Sequence, residues 1–331
     1  MRTRVISFLT VSLLIAFASL PIIPMSLSTA LADEVEDATG TDPRDFSPKF
    51  MPYYRYTELE NDLEVKEFVL FGMYAFTPKF AMTYEWPMAK QIDYSDVDAY
   101  KEFKKSGGGG GDLPPVGNMP GGGGGLPFDD LDEDGDVVGM GDLNLRFFNQ
   151  IDALRFTFMG GEKSFSFFPV IETTLPTATK DVLGGEAWIL SPGITVVTDM
   201  PFKSPPFGLG FFAMMNFYDF DAFKDKKVAH TSRYRGRWFW MQPLSMPGHV
   251  KDPEDTSLHI FDLAGLYLLT EFQPVYDFKE DDFSFWVGPE VGKILKDGII
   301  AYAKPGWGVE PDEGDGDRKF SFEVGFRYFI K

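Results

Sequence analysis

"KFSFEVGFRYFIK", residues 319–331, ends the chain on an unbroken alternation. Phe320, Phe322, Val324, Phe326, Tyr328 and Ile330 share one parity, while Ser321, Glu323, Gly325 and Arg327 hold the other. Successive side chains of a strand point to opposite faces, so this segment is apolar on one side and mostly polar on the other. In a soluble antiparallel sheet the apolar side would cover a core. In a membrane barrel it would meet lipid, with the polar side turned to a wet lumen. A single strand cannot separate the two, so the rest of the chain decides.

The same period recurs upstream. "KFAMTYEW" (79–86) sets Phe80, Met82, Tyr84 and Trp86 against Lys79, Ala81, Thr83 and Glu85. "WILSPGITVV" (188–197) and "FSFWVGPEV" (283–291) alternate likewise, and "FGLGFFAMMNF" (207–217) puts Phe207, Leu209, Phe211, Ala213, Met215 and Phe217 on one face, read as the lipid face. Segments of about 10 residues separated by turn residues are the mark of outer-membrane strands. Helical spacing is absent, and the frequent Gly and Pro would damage helices. The expected fold is an all-β, transmembrane, antiparallel up-and-down barrel. Its strands are expected near 50–58, 67–76, 79–88, 141–149, 165–175, 187–199, 207–217, 234–242, 260–275, 283–292, 299–307 and 319–330. Twelve is an even number, as single-chain bacterial barrels require, and it returns both ends to the periplasm. On that orientation the outside loops are 89–140, 176–186, 218–233, 276–282 and 308–318, against shorter inside turns at Thr77-Pro78, 200–206 and 293–298. The inside connections near 150–164 and 243–259 are longer than this rule favours. A soluble β-sandwich is the rival architecture.

Residues 1–32 combine Arg2 and Arg4, an apolar run from Val5 to Phe17 and the small-residue end Ala30-Leu31-Ala32. That is the plan of a secretory signal peptide, expected to be removed, leaving 33–331 as the barrel. No later segment has the uninterrupted apolar length of a membrane helix. Cysteine is absent, which excludes disulfides, a lipid-modified Cys and thiolate metal sites. The formal charge is −19, and loss of Arg2 and Arg4 takes it to −21. Such a balance argues against nucleic acid as a partner. The expected surroundings are outer-membrane lipid, lipopolysaccharide and the barrel-assembly machinery.

If one parity meets lipid, the other lines the lumen. It carries Glu85, Asp142, Asn144, Arg146, Glu172, Asn216, Asp262, Glu290, Lys304, Glu323 and Arg327. Charges suit that side, since a basic residue on the lipid face costs about 2–4 kcal/mol at mid-depth. "RYRGRWFW" (233–240) adds Arg233, Arg235 and Arg237 on one parity and Tyr234, Trp238 and Trp240 on the other. This makes a basic ladder of about 7 Å per step, suited to orienting an anionic permeant or to neutralising inward carboxylates.

The insertion 89–138 contains "SGGGGGDLPPVGNMPGGGGGLP" and then "DDLDEDGD". Asp130, Asp132, Asp134 and Asp136 fit the start of a calcium loop, but position twelve would be Gly141 rather than a bidentate Glu, so a solvated acidic run competes with a calcium site. No other cofactor is expected. A hydrolase would need a Ser/His pair. His259 follows Ser257 by two and His230 precedes Ser232 by two, but neither has an evident acidic partner at strand spacing, so no enzyme activity is expected. A structural or binding barrel working through its surface loops is the alternative to a pore.

"GMGDLNLRFF" and "FPVIETTLPTATKDVLGGEAWILSPGITVV" resemble the outer-membrane family associated with the meta-pathway of phenol degradation. The resemblance rests on Gly139, Gly141 and Asp142, on Leu175-Pro176-Thr177-Ala178, where Ala178 replaces the usual glycine, and on Leu183-Gly184. It covers roughly 139–331 and implies a twelve-stranded barrel and uptake of small organic, including aromatic, compounds. The chain end "EVGFRYFI" is also similar to the barrel-assembly signal through Glu323, Gly325, Phe326 and Tyr328, with Ile330 where an aromatic is usual.

Overall fold

The computed structural model describes residues 42–59, 62–94, 136–151, 154–158, 163–180, 183–185, 187–199, 210–224, 231–245, 257–309 and 318–330. The expected leader, most of the Gly-rich insertion, Asp130, Asp132 and Asp134, and His230 lie outside these residues.

The described chain is built of strands: β1 (Lys49–Leu59), β2 (Glu64–Thr77), β3 (Phe80–Asp93), β4 (Asp136–Gly139), β5 (Leu143–Asn149), β6 (Arg155–Phe158) and β7 (Lys163–Leu175). They continue with β8 (Ala187–Asp199), β9 (Phe211–Lys224), β10 (Ser232–Pro243), β11 (Leu266–Asp277), β12 (Asp282–Lys296), β13 (Ile299–Gly308) and β14 (Arg318–Phe329). Each long strand pairs antiparallel with its neighbours, and β1 closes on β14 with Tyr54 opposite Val324. Without the short β4 and β6, which pair only with β3 and β7, this is a closed barrel of twelve strands. Closure leaves no free sheet edge, the condition for putting strands in hydrocarbon. Lys49 pairs with Phe329, so the barrel begins and ends at one rim, here the terminal rim.

Burial answers the question posed by the last strand. Phe326 is 53% exposed and Tyr328 52%, whereas Arg327 between them is 5% exposed. Tyr74, Phe76, Ile194, Trp307 and Val324 also lie exposed on the outer face, while Glu172, Glu271, Glu290 and Arg146 are buried inside. A soluble sandwich would have the reverse arrangement.

Four expectations change. β9 runs 211–224 rather than 207–217, and its faces are exchanged: Phe211, Ala213, Met215 and Phe217 point inward and are buried. They join the apolar cluster on the terminal-rim side of the barrel, formed with Met73, Phe148, Phe168, Val170 and Leu269. Asn216 accordingly lies on the outer face, where its Oδ1 accepts from Tyr234 Oη at 2.7 Å and Trp238 Nε1 at 3.1 Å, which offsets the cost of a polar group beside lipid. β11 starts at Leu266, not 260, because Gly265 turns the chain at φ +72°. Finally, 89–93 and 136–138 belong to β3 and β4 rather than to the inserted loop.

Segment 42–48 folds into the terminal rim. Phe46 is buried against Phe148 and Phe168, with ring centroids 6.0 and 6.4 Å apart. Arg44 grips Asp42 and Asp199, the latter at 2.7 Å, and donates to Ser164 at 2.7 Å. A smaller cluster of Leu59, Leu63, Ile92, Tyr94, Val137 and Leu183 closes part of the opposite, far rim.

Candidate functional site

Between the two apolar clusters the inward positions are charged. Alternation explains this: one parity of each long strand faces the bore, and at mid-height that parity carries Arg55, Glu67, Glu85, Arg146, Glu172, Asp219, Arg235, Glu271, Glu290, Lys304 and Glu323. A buried charge is tolerable only when paired, and breaking such a pair costs about 3–5 kcal/mol. The pairing is extensive. Arg146 Nε donates to Glu172 Oε2 at 2.6 Å, and Arg235 Nη2 contacts the other oxygen of Glu172. Arg235 Nε and Arg233 Nε share Asp219 Oδ2 at 3.1 and 2.7 Å. Arg237 Nε donates to Glu271 Oε1 at 2.7 Å, and Lys304 Nζ lies between Glu271 at 3.2 Å and Glu323 at 3.3 Å. Arg327 binds Glu290 at 2.7 Å and contacts Tyr267 Oη, whose hydroxyl donates to Glu290 at 2.8 Å.

These groups surround a cavity of about 400 Å³ at mid-height. Eight cations and seven carboxylates line it, so its formal balance is +1 in a chain of −19. Tyr53, Phe71 and Trp286 supply apolar surface on its wall, and Asp42 and Pro43 reach it from the terminal rim. Toward the far rim a second space of about 270 Å³ adjoins it, sharing Asn144, Glu172 and Arg235 and adding Arg233, Asp219 and Ser191.

Of the expected lumen residues, Arg146, Glu172, Arg235, Arg237, Glu290, Lys304, Glu323 and Arg327 line the central cavity, and Arg233 lines the second space. Asp262 does not. It sits in the turn before β11, exposed, accepting from Lys293 Nζ at 2.9 Å and paired with His259 Nδ1 at 2.7 Å. The Lys293 and His259 hydrogen bonds hold its carboxyl down at about 2. His259 therefore has the acidic partner that strand spacing did not reveal, in a corner that ties 257–265 to β12. Asp136 begins β4 and accepts from Gln91 Nε2 at 2.7 Å, and no described group of three His, Asp or Glu residues could hold a metal ion.

Sequence reasoning missed Asp219, Glu271, Tyr267 and the group at β1 and β2, where Arg55 bridges Glu67 at 2.7 Å and Glu85 at 3.2 Å. Asp219 was placed in a loop, yet it shares the parity of Phe217 on one strand, and that shared parity was a usable signal.

An apolar outer belt around a closed antiparallel bore lined with paired charges defines the bacterial outer-membrane β-barrels. Among solved structures, the chain is similar to the COG4313 outer membrane channel from Pseudomonas putida F1, at 10% identity and TM-score 0.50, over 90% of this chain and 100% of that one. The NanC porin (7% identity, TM-score 0.45, 86% and 100% covered) and the KdgM porin in complex with disordered oligogalacturonate (7%, 0.40, 85% and 99%) lie further off. At such identities the likeness shows the shared barrel fold. No family profile matches the sequence, and no curated protein is similar to it.

Proposed function

We propose that this chain is an outer-membrane channel for small organic solutes bearing a polar or anionic end, with its terminal rim in the periplasm and residues 1–32 acting as a removable leader. The observation that carries this reading is the mid-height cavity, whose wall is lined by directly paired guanidinium groups and carboxylates. A permeant carboxylate can replace a protein carboxylate beside an arginine with little change in the number of charge-assisted hydrogen bonds. Aromatic wall residues offer the rest of the solute an apolar surface, in keeping with the resemblance to the phenol-degradation family.

Planar-bilayer recording tests it. The purified protein should give discrete conductance steps, and Arg237→Gln should move the reversal potential in a salt gradient toward cation preference, because Glu271 then keeps only Lys304 as an ionic partner. A preparation that inserts, yet gives no steps and no swelling of liposomes in small organic solutes, would sink the proposal.

A further inference from the structure

The wall between β12 and β13 is interrupted at mid-depth. Val287 pairs with Trp307 and Val291 with Ala303, but the three cross-strand pairs between them are missing from the ladder. The register places Pro289 opposite Pro305, with Gly288 facing Gly306 beside them. Proline has no N–H, so two opposed prolines remove both hydrogen bonds of one pair and leave two carbonyls without ladder donors. Where a lone proline meets a neighbour, at Pro52, Pro192 and Pro274, two pairs are interrupted rather than three. The unbonded stretch spans four residues, about 13 Å at 3.3 Å per residue. In hydrocarbon, unpaired backbone carbonyls are costly.

Inside, the seam is covered by one ring. A Cβ on Gly288 or Gly306 would come within 2.0 Å of the Trp286 indole, so the ring lies flat over both glycines. The Arg318 guanidinium lies over the same ring, 4.9 Å from its centroid. The indole Nε1 is buried without a hydrogen-bond partner, and Lys304 Nζ lies over the ring at 5.9 Å, so ring contacts rather than a hydrogen bond hold it. Trp286 is also part of the central cavity wall.

We propose that this seam is a lateral portal: Trp286 swings from Gly288 and Gly306, β12 and β13 part, and an apolar aromatic solute passes from the central cavity into the hydrocarbon of the membrane. The portal rests on the channel reading and adds a second exit to it. Lys304 holds both Glu271 and Glu323, so it can release the β11 carboxylate and keep the β14 one as the strands separate. Arg327 reaches Glu290 over β13 on a long flexible side chain, which leaves slack for the same movement.

A staple across the seam tests this. Pro289→Cys with Pro305→Cys places two thiols on directly opposed positions, within the Cα separation a disulfide spans. Cells carrying the oxidised pair should take up N-phenyl-1-naphthylamine, a dye that brightens in hydrocarbon, at least several-fold more slowly than reduced cells, while ion conductance in bilayers stays unchanged. Pro289→Val with Pro305→Val, which restores both N–H donors without a cross-link, should also slow entry, and Trp286→Ala should speed it. Equal dye entry in oxidised and reduced cells overturns the portal and leaves the channel standing. Conductance that falls in step with dye entry overturns it too, because the staple would then have closed the axial bore. Absence of conductance in the unmodified protein is the separate failure of the channel reading.

Discussion

Gly292 shows how single residues set the width of the bore. A Cβ there would lie 2.0 Å from Tyr267 Cζ, so the ring rests against the bare backbone instead of projecting into the lumen. Gly325 gives the same clearance to Tyr53, at 2.5 Å from its Cβ. Overpacking of this kind costs about 1–3 kcal/mol. Gly292→Ala should therefore displace Tyr267 from Glu290 and Arg327 and lower the unfolding temperature, read by loss of heat-modifiable migration on gels. Tyr267→Phe, which keeps the ring and loses the hydroxyl that donates to the Glu290 carboxylate, should cost about 1.5–3 kcal/mol. A Gly292→Ala barrel as stable as the parent would show that the close approach is not limiting. At this scale the charged inward residues were legible, because Glu290, Glu323 and Arg327 stand on the polar parity of clean strands. Tyr267 was not, since an apolar ring inside the bore looks the same in sequence as one outside it.

At the scale of elements, the far-rim corner between β5 and β8 gives the family-like motif a physical meaning. Asp142 Oδ1 accepts from the backbone N–H groups of Thr177 and Ala178 at 2.9 and 3.0 Å, and Oδ2 from Gly185 at 2.6 Å. Gly184 must be bare, because a Cβ would lie 2.5 Å from Asp142 Oδ1, and one on Gly139 would lie 2.2 Å from Thr179 Oγ1. One carboxylate thus pins the β7–β8 connection to the start of β5. Hydrogen bonds to a charged group contribute about 1.5–3 kcal/mol each. Asp142→Ala should release that connection, seen as new protease cleavage within 176–186 on an otherwise folded barrel. Protection equal to that of the parent would assign the anchoring elsewhere. The number of strands was readable from the period of two. The faces of β9 were not, because Phe211 and Phe212, then Met214 and Met215, put apolar residues on both parities, and only Asp219 and Asp221, near the strand's end, break the tie. The start of β11 was misread because Ile260 and Phe261 extend its apolar pattern into a turn.

For the whole molecule, the segment 42–48 packs into the terminal rim beside the cavity, where Asp42 and Pro43 line it. Phe46 and the Arg44 grip on Asp199 and Ser164 place residues 42–48 against the apolar floor of the cavity. Deleting 42–48 should raise single-channel conductance several-fold, and Arg44→Ala should produce flickering between the parent level and the larger one. An unchanged conductance in the deletion would mean that current bypasses this segment. Little of this was visible beforehand, because a seven-residue stretch with Pro43 and Pro48 has no periodicity to mark it as an internal plug.

The ion pairs and charge-assisted hydrogen bonds inside the bore also bear on shape. Arg235 on β10 reaches Glu172 on β7, Arg318 on β14 reaches Gln273 on β11, and Arg55 on β1 reaches Glu85 on β3. Each passes over intervening strands, as a strut does across a thin-walled hoop. A tube squeezed sideways by its surroundings tends to go oval before it tears, and these chords oppose that flattening from several directions. The side chains that give the bore its charge therefore also brace its wall.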